Sequence, residues 1–277
     1  MESVSAGDAE IPALGVGTFE LSGVECRRTV ETALELGYRH VDTAEYYDNE
    51  TAVGAGIERA PVDRDEVFLT TKVWRSNLAA EDVRPAVEAS LDRLGVDYVD
   101  LLLIHWPHPR VPVSETLSVM EDLCDDGLVN HLGVSNFTRS QLTEAIDIAD
   151  VPLVTDQVLY HPLTDQRALQ QFCVDANVAL TAYSPLARGA VVGREELSQI
   201  GQRYEKTAAQ VAIRWLVQQE QVMAIPRSTS RDHLAQNLAV FDFELTDEEM
   251  TRIHELRGGL RIRLENKLPK LMRSLPI

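Results

Sequence analysis

The sequence predicts an α/β chain closed into a single (β/α)8 barrel, and three observations carry that expectation. Short apolar runs alternate with amphipathic stretches along the whole chain, as eight strand-then-helix units spread over about 250 residues would require. Chemically reactive polar residues stand at the ends of those runs, and a barrel gathers the C-terminal ends of its strands on one rim. No Pro/Gly/Ser-rich linker or composition break interrupts the series, so residues 1–277 read as one domain. An open doubly wound sheet is the alternative that periodicity leaves standing.

The runs place strands near 14–19, 38–42, 67–72, 98–104, 130–135, 152–157, 178–183 and 222–226. Between the first two, Val24 to Leu36 carries Cys26, Val30, Ala33 and Leu34 at helical spacing. Gly37 and Gly95 punctuate the helix ends before the second and fourth strands. Three later helices announce their starts, because Thr138 precedes Gln141, Thr207 precedes Gln210 and Thr246 precedes Glu249 at capping-box spacing. The tail, Gly258 to Ile277 with Arg257 just before it, is basic through Arg261, Arg263, Lys267, Lys270 and Arg273. It reads either as a solvated extension or as a flap near the barrel mouth.

Composition narrows the function classes. Apolar residues are 44% of the chain, enough for a sizeable core. The acidic start, Met1 to Asp8, has no apolar stretch of the signal-peptide kind, and no run approaches the roughly 20 residues a membrane helix needs. Cys26, Cys124 and Cys173 are widely spaced and odd in number, as expected of buried free thiols in a reducing cytoplasm. The balance of 26 Lys+Arg against 44 Asp+Glu gives −18, with only Lys72, Lys206, Lys267 and Lys270 as lysines. Such a field repels nucleic acid and anionic membranes, and it requires local cations wherever an anionic cofactor binds. A lysine-poor acidic surface also resembles those of proteins from salt-accumulating, halophilic cytoplasms.

Four residues concentrate the chemistry. Asp42, Lys72 and His105 each end an apolar run, and Tyr47 lies five residues past Asp42. The intervals 42 to 72 and 72 to 105 match a strand–helix–strand unit, so consecutive parallel strands would bring the three ends together. Asp42 can neutralise Lys72, whose charge is costly to bury alone. The ammonium is expected to lower the pKa of the Tyr47 phenol, and His105 can hydrogen-bond the atom that Tyr47 protonates. This suits protonation of a developing alkoxide. None of the four donates hydride, so a cofactor is implied. Asn136, Gln157, Tyr183, Ser184, Arg227 and Ser228 also follow the ends of strand runs.

Plainer readings stand beside these. Asp42 with Lys72 could be a buried ion pair alone, and Trp74 and Trp106 could be ordinary core. His105-Trp106-Pro107-His108 lacks the geometry of a metal pair and no carboxylate or cysteine completes it, so His108 reads as an exposed loop residue. His161 before Pro162 reads as a capping or packing residue. Gly15-Val16-Gly17 lacks the third glycine of a dinucleotide fingerprint, since position 20 is Glu20.

At these residues the sequence resembles the aldo-keto reductase family. Asp42-Thr43-Ala44-Glu45-Tyr46-Tyr47-Asp48-Asn49-Glu50 matches its strand-to-helix signature. Thr71-Lys72-Val73-Trp74 resembles its lysine motif, Ile104-His105-Trp106-Pro107 its histidine motif, and Leu14-Gly15-Val16-Gly17-Thr18-Phe19 its first strand. Gly133-Val134-Ser135-Asn136-Phe137 and Ala182-Tyr183-Ser184-Pro185-Leu186 resemble its nicotinamide-binding segments, and Ile225-Pro226-Arg227-Ser228-Thr229-Ser230 its phosphate-binding segment. The seven motifs run in order from about residue 11 to 256, in the pattern of the prokaryotic branch that includes 2,5-diketo-gluconate reductases.

The resemblance implies a TIM-barrel oxidoreductase that passes the pro-R hydride of NADPH to a carbonyl carbon, with Tyr47 rather than Tyr46 protonating the oxygen. Thr18 and Asp42 would lie along the cofactor. Ser135, Asn136 and Gln157 would hold the carboxamide, Tyr183 would stack on the nicotinamide, and Ser184 and Leu186 would line the pyrophosphate. Arg227, Ser228, Thr229, Ser230, His233, Gln236 and Asn237 would meet the adenosine end, and Phe19, Trp74 and Trp106 would wall the carbonyl pocket. His233 stands where NADPH-preferring members usually carry arginine, and Gln236 where an acid is usual. NADPH is therefore expected to be preferred with weakened discrimination, leaving room for NADH. The expected partner is a small carbonyl compound, and the expected state is a monomer. The rival readings are an NADP(H)-binding sensor or accessory subunit, and a metal-dependent barrel hydrolase.

Overall fold

The computed structural model describes residues 2–256, and within them the apolar runs share one parallel sheet that bends round to meet itself. Its strands are β3 (Val16–Gly17), β4 (His40–Asp42), β5 (Phe68–Val73), β6 (Val99–Ile104), β7 (Val129–Ser135), β8 (Leu153–Leu159), β9 (Ala179–Tyr183) and β10 (Val222–Ala224), each paired to the next. Leu14 bridges Ala224 in parallel, Gly15 N donates to Ala224 O at 2.9 Å and Gly17 N to Pro226 O at 3.2 Å, so the last strand meets the first. A Cβ on Gly17 would stand 2.8 Å from the Ile225 carbonyl oxygen, so this closure depends on glycine. The closed barrel is thus the observed fold, not the open sheet. The basic tail read as a flap lies outside the described residues.

Helices alternate with these strands: α1 (Gly23–Leu36), α2 (Glu50–Arg59), α3 (Ala80–Leu94), α4 (Val113–Asp125), α5 (Arg139–Ile148) and α6 (Arg167–Asp175), then α7 (Glu195–Gln202), α8 (Ala208–Val217), α9 (Arg231–Leu238) and α10 (Asp247–His254). Thr138, Thr207 and Thr246 cap α5, α8 and α10 in reciprocal boxes with Gln141, Gln210 and Glu249. Gly37 and Gly95 terminate α1 and α3 in the left-handed region, at φ 109° and 67°. No helix among the described residues is long and apolar enough to cross a membrane.

Strand alternation sorts two faces. Val41, Leu69, Leu102, Leu132 and Leu180 belong to the large core under the helices. Residues two apart on the other register, Thr70 and Lys72, Leu101 and Leu103, Thr155 and Gln157, share the opposite face. Thr155 and Thr181 bond each other there through their hydroxyls at 2.7 Å. Two strands absent from the sequence reading, β1 (Ser3–Ala6) and β2 (Ala9–Pro12), form an antiparallel hairpin. Its buried Ala6, Ala9 and Ile11 pack on Leu101, Leu103, Val154, Ala179 and Met223. Val154 and Ala179 lie at the starts of β8 and β9, and Gly7 N donates to the carbonyl of Asn177 just before β9, so the hairpin stoppers the end away from the reactive residues. The strand expected at 14–19 is correspondingly short, because residues 18–21 leave it in a turn closed by Leu21 N on Thr18 O at 3.0 Å.

All three cysteines are free thiols, with Cys26 and Cys173 buried and Cys124 half-buried. Near the chain's described end, Glu249 is almost fully buried and accepts from Tyr204 Oη at 2.5 Å and from Arg203 Nη1 at 2.7 Å. Burial alone would raise this carboxyl. The bonds from Tyr204 and Thr246, with the charge of Arg203, outweigh it and hold the group below its ordinary 4.5. A lowered carboxyl stabilises the fold above 4.5 and loses that contribution as pH falls through its folded value. Glu249→Gln is therefore expected to lose about 1–3 kcal/mol near neutrality, with the deficit narrowing below pH 4.5, in urea unfolding across a pH series. A deficit that stays constant with pH would contradict this.

Candidate active site

The register of the sheet decides which side chains meet. Gly17 pairs with Asp42, Asp42 with Thr70, Lys72 with Leu103 and Ser135 with Gln157, so the polar ends of β4 to β8 reach the same level. Lys72 Nζ lies 2.6 Å from Asp42 Oδ1, 2.7 Å from the Thr43 carbonyl and a long 3.4 Å from Tyr47 Oη. The pair is sealed from water, with side-chain exposures of 0% and 2%, so its geometry and extra hydrogen bonds must offset the loss of solvation. Gln157 Nε2 supplies one such bond, to Asp42 Oδ2 at 2.6 Å.

Tyr47 sits in a short 3-10 turn, Glu45–Tyr47, that ends on Asp48 at φ 52°. Its ring lies 5.0 Å from Phe19 and 5.6 Å from His105, centroid to centroid. Burial, then the charges of Asp42 and Tyr183, hold the phenol well above its ordinary 10. This corrects the expectation that Lys72 lowers it. The ammonium is committed to Asp42 and Thr43, and desolvation of the phenolate dominates. Burial also lowers Lys72 from its ordinary value, with Asp42 opposing. His105 is pushed well below 6.5 by burial and then by Lys72, so the imidazole is neutral at neutral pH. Its Nδ1 is buried without a hydrogen-bond partner among the described residues, so a proton there would be an unsatisfied donor; the favoured tautomer carries the proton on Nε2.

A second cluster adjoins the first. Ser135 Oγ donates to the Gln157 carbonyl at 2.8 Å, and Asn136 Nδ2 donates to Ser135 Oγ at 2.9 Å and to the His105 carbonyl at 3.1 Å. Tyr183 Oη donates to Asn136 Oδ1 at 2.9 Å. An unbroken series of bonded residues therefore runs Tyr183, Asn136, Ser135, Gln157, Asp42, Lys72, Tyr47. Several residues here hold left-handed backbones without being glycine: Asn136 at 63°, Ser184 at 51°, Ala187 at 48° and Arg188 at 51°. Such conformations cost of order 1–3 kcal/mol each and gather where a ligand dictates shape. Ser184 and Leu186 are half-buried in that loop.

The remaining expected positions divide. Thr18 is buried and bonded to the Asp42 carbonyl at 2.9 Å. Ser228 and Ser230 are half-buried and Thr229 exposed, and Ser230 caps α9 by accepting from His233 N. His233 and Gln236 are exposed, whereas Asn237 is buried and bonds the Tyr38 hydroxyl. Phe19 is 42% exposed beside Tyr47, and Trp74 stands 5.0 Å from His105. Trp106 is buried and makes no ring contact with these aromatics among the described residues. His108 is half-buried rather than exposed: its Nδ1 accepts from Arg110 N and Val111 N and caps the loop. His161 caps its own turn, accepting from Leu163 N.

Three contributors were not foreseen. Tyr46 stacks on Trp74 at 3.9 Å and widens the aromatic wall. Glu45 accepts from Trp74 N at 3.2 Å and from Asn77 Nδ2, fixing that wall. Asn49 donates to the carbonyls of Thr18 (2.9 Å) and Leu21 (3.0 Å) and accepts from Thr43 Oγ1, tying the first loop to the second. Each lies within the Asp42–Glu50 run, which was the available signal.

This donor set fits a nicotinamide dinucleotide. Hydroxyl and amide groups next to Tyr183 match a carboxamide, and Arg227, Ser228, Thr229 and the start of α9 offer cation and donors to phosphate. Among the described residues no three His, Cys, Asp or Glu side chains are grouped to hold a metal ion.

Comparisons with known proteins agree on the relatives. A family model described as the Aldo/keto reductase family matches residues 13–257. The 9,11-endoperoxide prostaglandin H2 reductase of Trypanosoma cruzi (strain CL Brener) is 42% identical over 256 residues, spanning 91% of this chain and 90% of that protein. The glyoxal reductase of Bacillus subtilis (strain 168) is 39% identical over 254 residues, 91% of each. A crystal structure provisionally named 2,5-diketo-D-gluconic acid reductase B superposes with a TM-score of 0.92 at 45% identity, covering 94% of this chain and 92% of that one. The aldose reductase of Schistosoma japonicum gives 0.89 at 32% identity, covering 94% of each.

Proposed function

Because the chain belongs to the aldo/keto reductase family, its activity is NAD(P)H-dependent carbonyl reduction, and we propose that Tyr47 is the group that delivers the proton. One observation carries the assignment: a phenol held protonated by burial lies 3.4 Å from a buried ammonium that Asp42 fixes in place. A dinucleotide held by Ser135, Asn136, Gln157 and Tyr183 would supply hydride chemistry at the carbonyl carbon. Tyr47 gives its proton to the carbonyl oxygen, and Lys72 stabilises the phenolate left behind until solvent returns the proton. Neutral His105, protonated on Nε2, donates a hydrogen bond that orients the same oxygen. Asp42, itself held by Gln157, fixes Lys72, and Phe19, Tyr46 and Trp74 wall the site.

At the cofactor's far end, Arg227, Ser228 and Thr229 support NADPH, and the exposed His233 weakens its advantage over NADH. For substrate, the aromatic wall and the loop after His105 suit small aldehydes, ketones and dicarbonyls. Glyoxal is a reasonable first choice, since a relative carries that name.

The test is loss of reduced-cofactor absorbance with a panel of aldehydes, ketones and dicarbonyls, in low and molar salt. Turnover with NADPH, and more slowly with NADH, is expected. Bound cofactor with no turnover in any condition would favour a sensor or accessory subunit instead. The same assay has a pH signature. Burial and Lys72 keep His105 deprotonated below its ordinary 6.5, so kcat/KM should show no one-proton fall between about pH 8 and 6. A fall centred near 6.5 would mean that His105 is not the buried neutral group described.

A further inference from the structure

We propose that Glu20 determines how strongly this site distinguishes a dinucleotide bearing an adenosine 2′-phosphate from one without it. The inference rests on the dinucleotide-binding reading above. Arg227 is a cation that the dinucleotide reading offers to that phosphate, yet its Nη1 donates to Glu20 Oε2 at 2.9 Å and to the Phe19 carbonyl at 3.1 Å. Glu20 Oε1 also lies 3.9 Å from Arg188 Nη2, on the loop after β9. The neighbouring Arg231 is engaged in the same way, by Glu35 of α1 at 2.7 Å. Both arginines of the 227–231 segment thus face a carboxylate from the first β/α unit, and Asp232 adds a third acid beside His233. A 2′-phosphate must displace Glu20 from Arg227 or share the guanidinium with it, and two anions at one cation repel. A dinucleotide with a free 2′-hydroxyl meets no such competition.

The backbone supports a purpose for this residue. Glu20 is third in the turn closed by Leu21 N on Thr18 O, and it holds φ 64°, a position that favours Gly or Asn. Asn49 pins the carbonyls of Thr18 and Leu21 on either side, so the loop cannot carry Glu20 away; only its side chain can swing. A glutamate kept in a strained position and paired with Arg227 of the phosphate segment is a counter-ion, not a spacer.

The experiment titrates NADP+ and NAD+ into the full-length wild type, Glu20→Gln and Glu31→Gln, followed by intrinsic fluorescence and confirmed by calorimetry. Glu31 pairs with Arg27 within α1, so its substitution removes the same charge away from the rim. Glu20→Gln should shift the ratio of dissociation constants toward NADP+ by about three- to fivefold, the scale of one half-exposed ion pair. Glu20→Gly should shift it in the same direction and should not unfold the chain, because glycine suits that backbone. Glu31→Gln should leave the ratio unmoved. An unchanged ratio in Glu20→Gln, or an equal shift in Glu31→Gln, overturns the proposal. A wild type that binds neither nucleotide overturns the dinucleotide reading and this inference together, so the two failures are distinguishable.

Discussion

Tyr47→Phe should lose about 10²- to 10⁴-fold in kcat while retaining its fold and its dinucleotide affinity. The substitution removes one oxygen and keeps the ring that packs 5.0 Å from Phe19 and 5.6 Å from His105. Lys72 keeps its bonds to Asp42 and the Thr43 carbonyl, so no buried charge is left bare and stability should change by no more than about 1 kcal/mol. Steady-state rates beside a nucleotide titration and a thermal melt separate these effects. If kcat stays within tenfold of wild type, the proton comes from elsewhere, and His105 or solvent must be assigned the role.

Asp42→Ala should be the most destabilising single change in the site, at about 3–5 kcal/mol, because it leaves the Lys72 ammonium buried without its counter-ion. For a chain of this size that corresponds to a fall in Tm of roughly 5–10 °C. Burial already lowers Lys72, and the loss of Asp42 removes the influence that opposes it. A lysine with a depressed folded pKa binds fewer protons when folded than when unfolded, between that value and 10.5, so stability rises with pH through that window. The variant's deficit should therefore shrink as pH climbs toward 10.5, as the amine sheds its charge. Combining Asp42→Ala with Lys72→Met should recover much of the loss, since neither charge then remains. A single-variant loss below about 1 kcal/mol, the level of a surface pair, would mean that the two charges are solvated in solution.

The barrel and the meeting of Asp42, Lys72 and His105 were legible because they depend only on strand period and on the length of a β/α unit. Thr138, Thr207 and Thr246 were legible as caps because their signals are local, spanning four residues. The hairpin at residues 3–12 has only a faint signal in the sequence, the Gly7-Asp8 pair between short alternating runs. Its small residues, Ala6 and Ala9, carry little hydrophobic weight. The direction of the Tyr47 shift was misjudged because proximity of a charge can be guessed from sequence, whereas depth of burial cannot. Contacts such as Gln157 to Asp42 and Glu20 to Arg227 join residues 115 and 207 positions apart. No local pattern marks them, and only closure of the sheet makes them neighbours. Whether Tyr46 or Tyr47 faces inward was likewise undecided by spacing, since a 3-10 turn sets the directions of both.

The series from Tyr183 to Tyr47 bears on how this protein can change over generations. Its members come from β4, β5, β7, β8, β9 and the turns that follow them, and each satisfies a neighbour's donor or acceptor. A substitution at one link alters the fitness of substitutions at the next, so these positions are constrained to vary jointly or to stay fixed. Phe19, Tyr46 and Trp74 stand outside that series: Phe19 meets it through its ring contact with Tyr47, and Tyr46 and Trp74 stack on each other and meet His105. Side chains of the aromatic rim can therefore change without breaking a bond of the series, while the hydrogen-bonded residues beneath are inherited as a block.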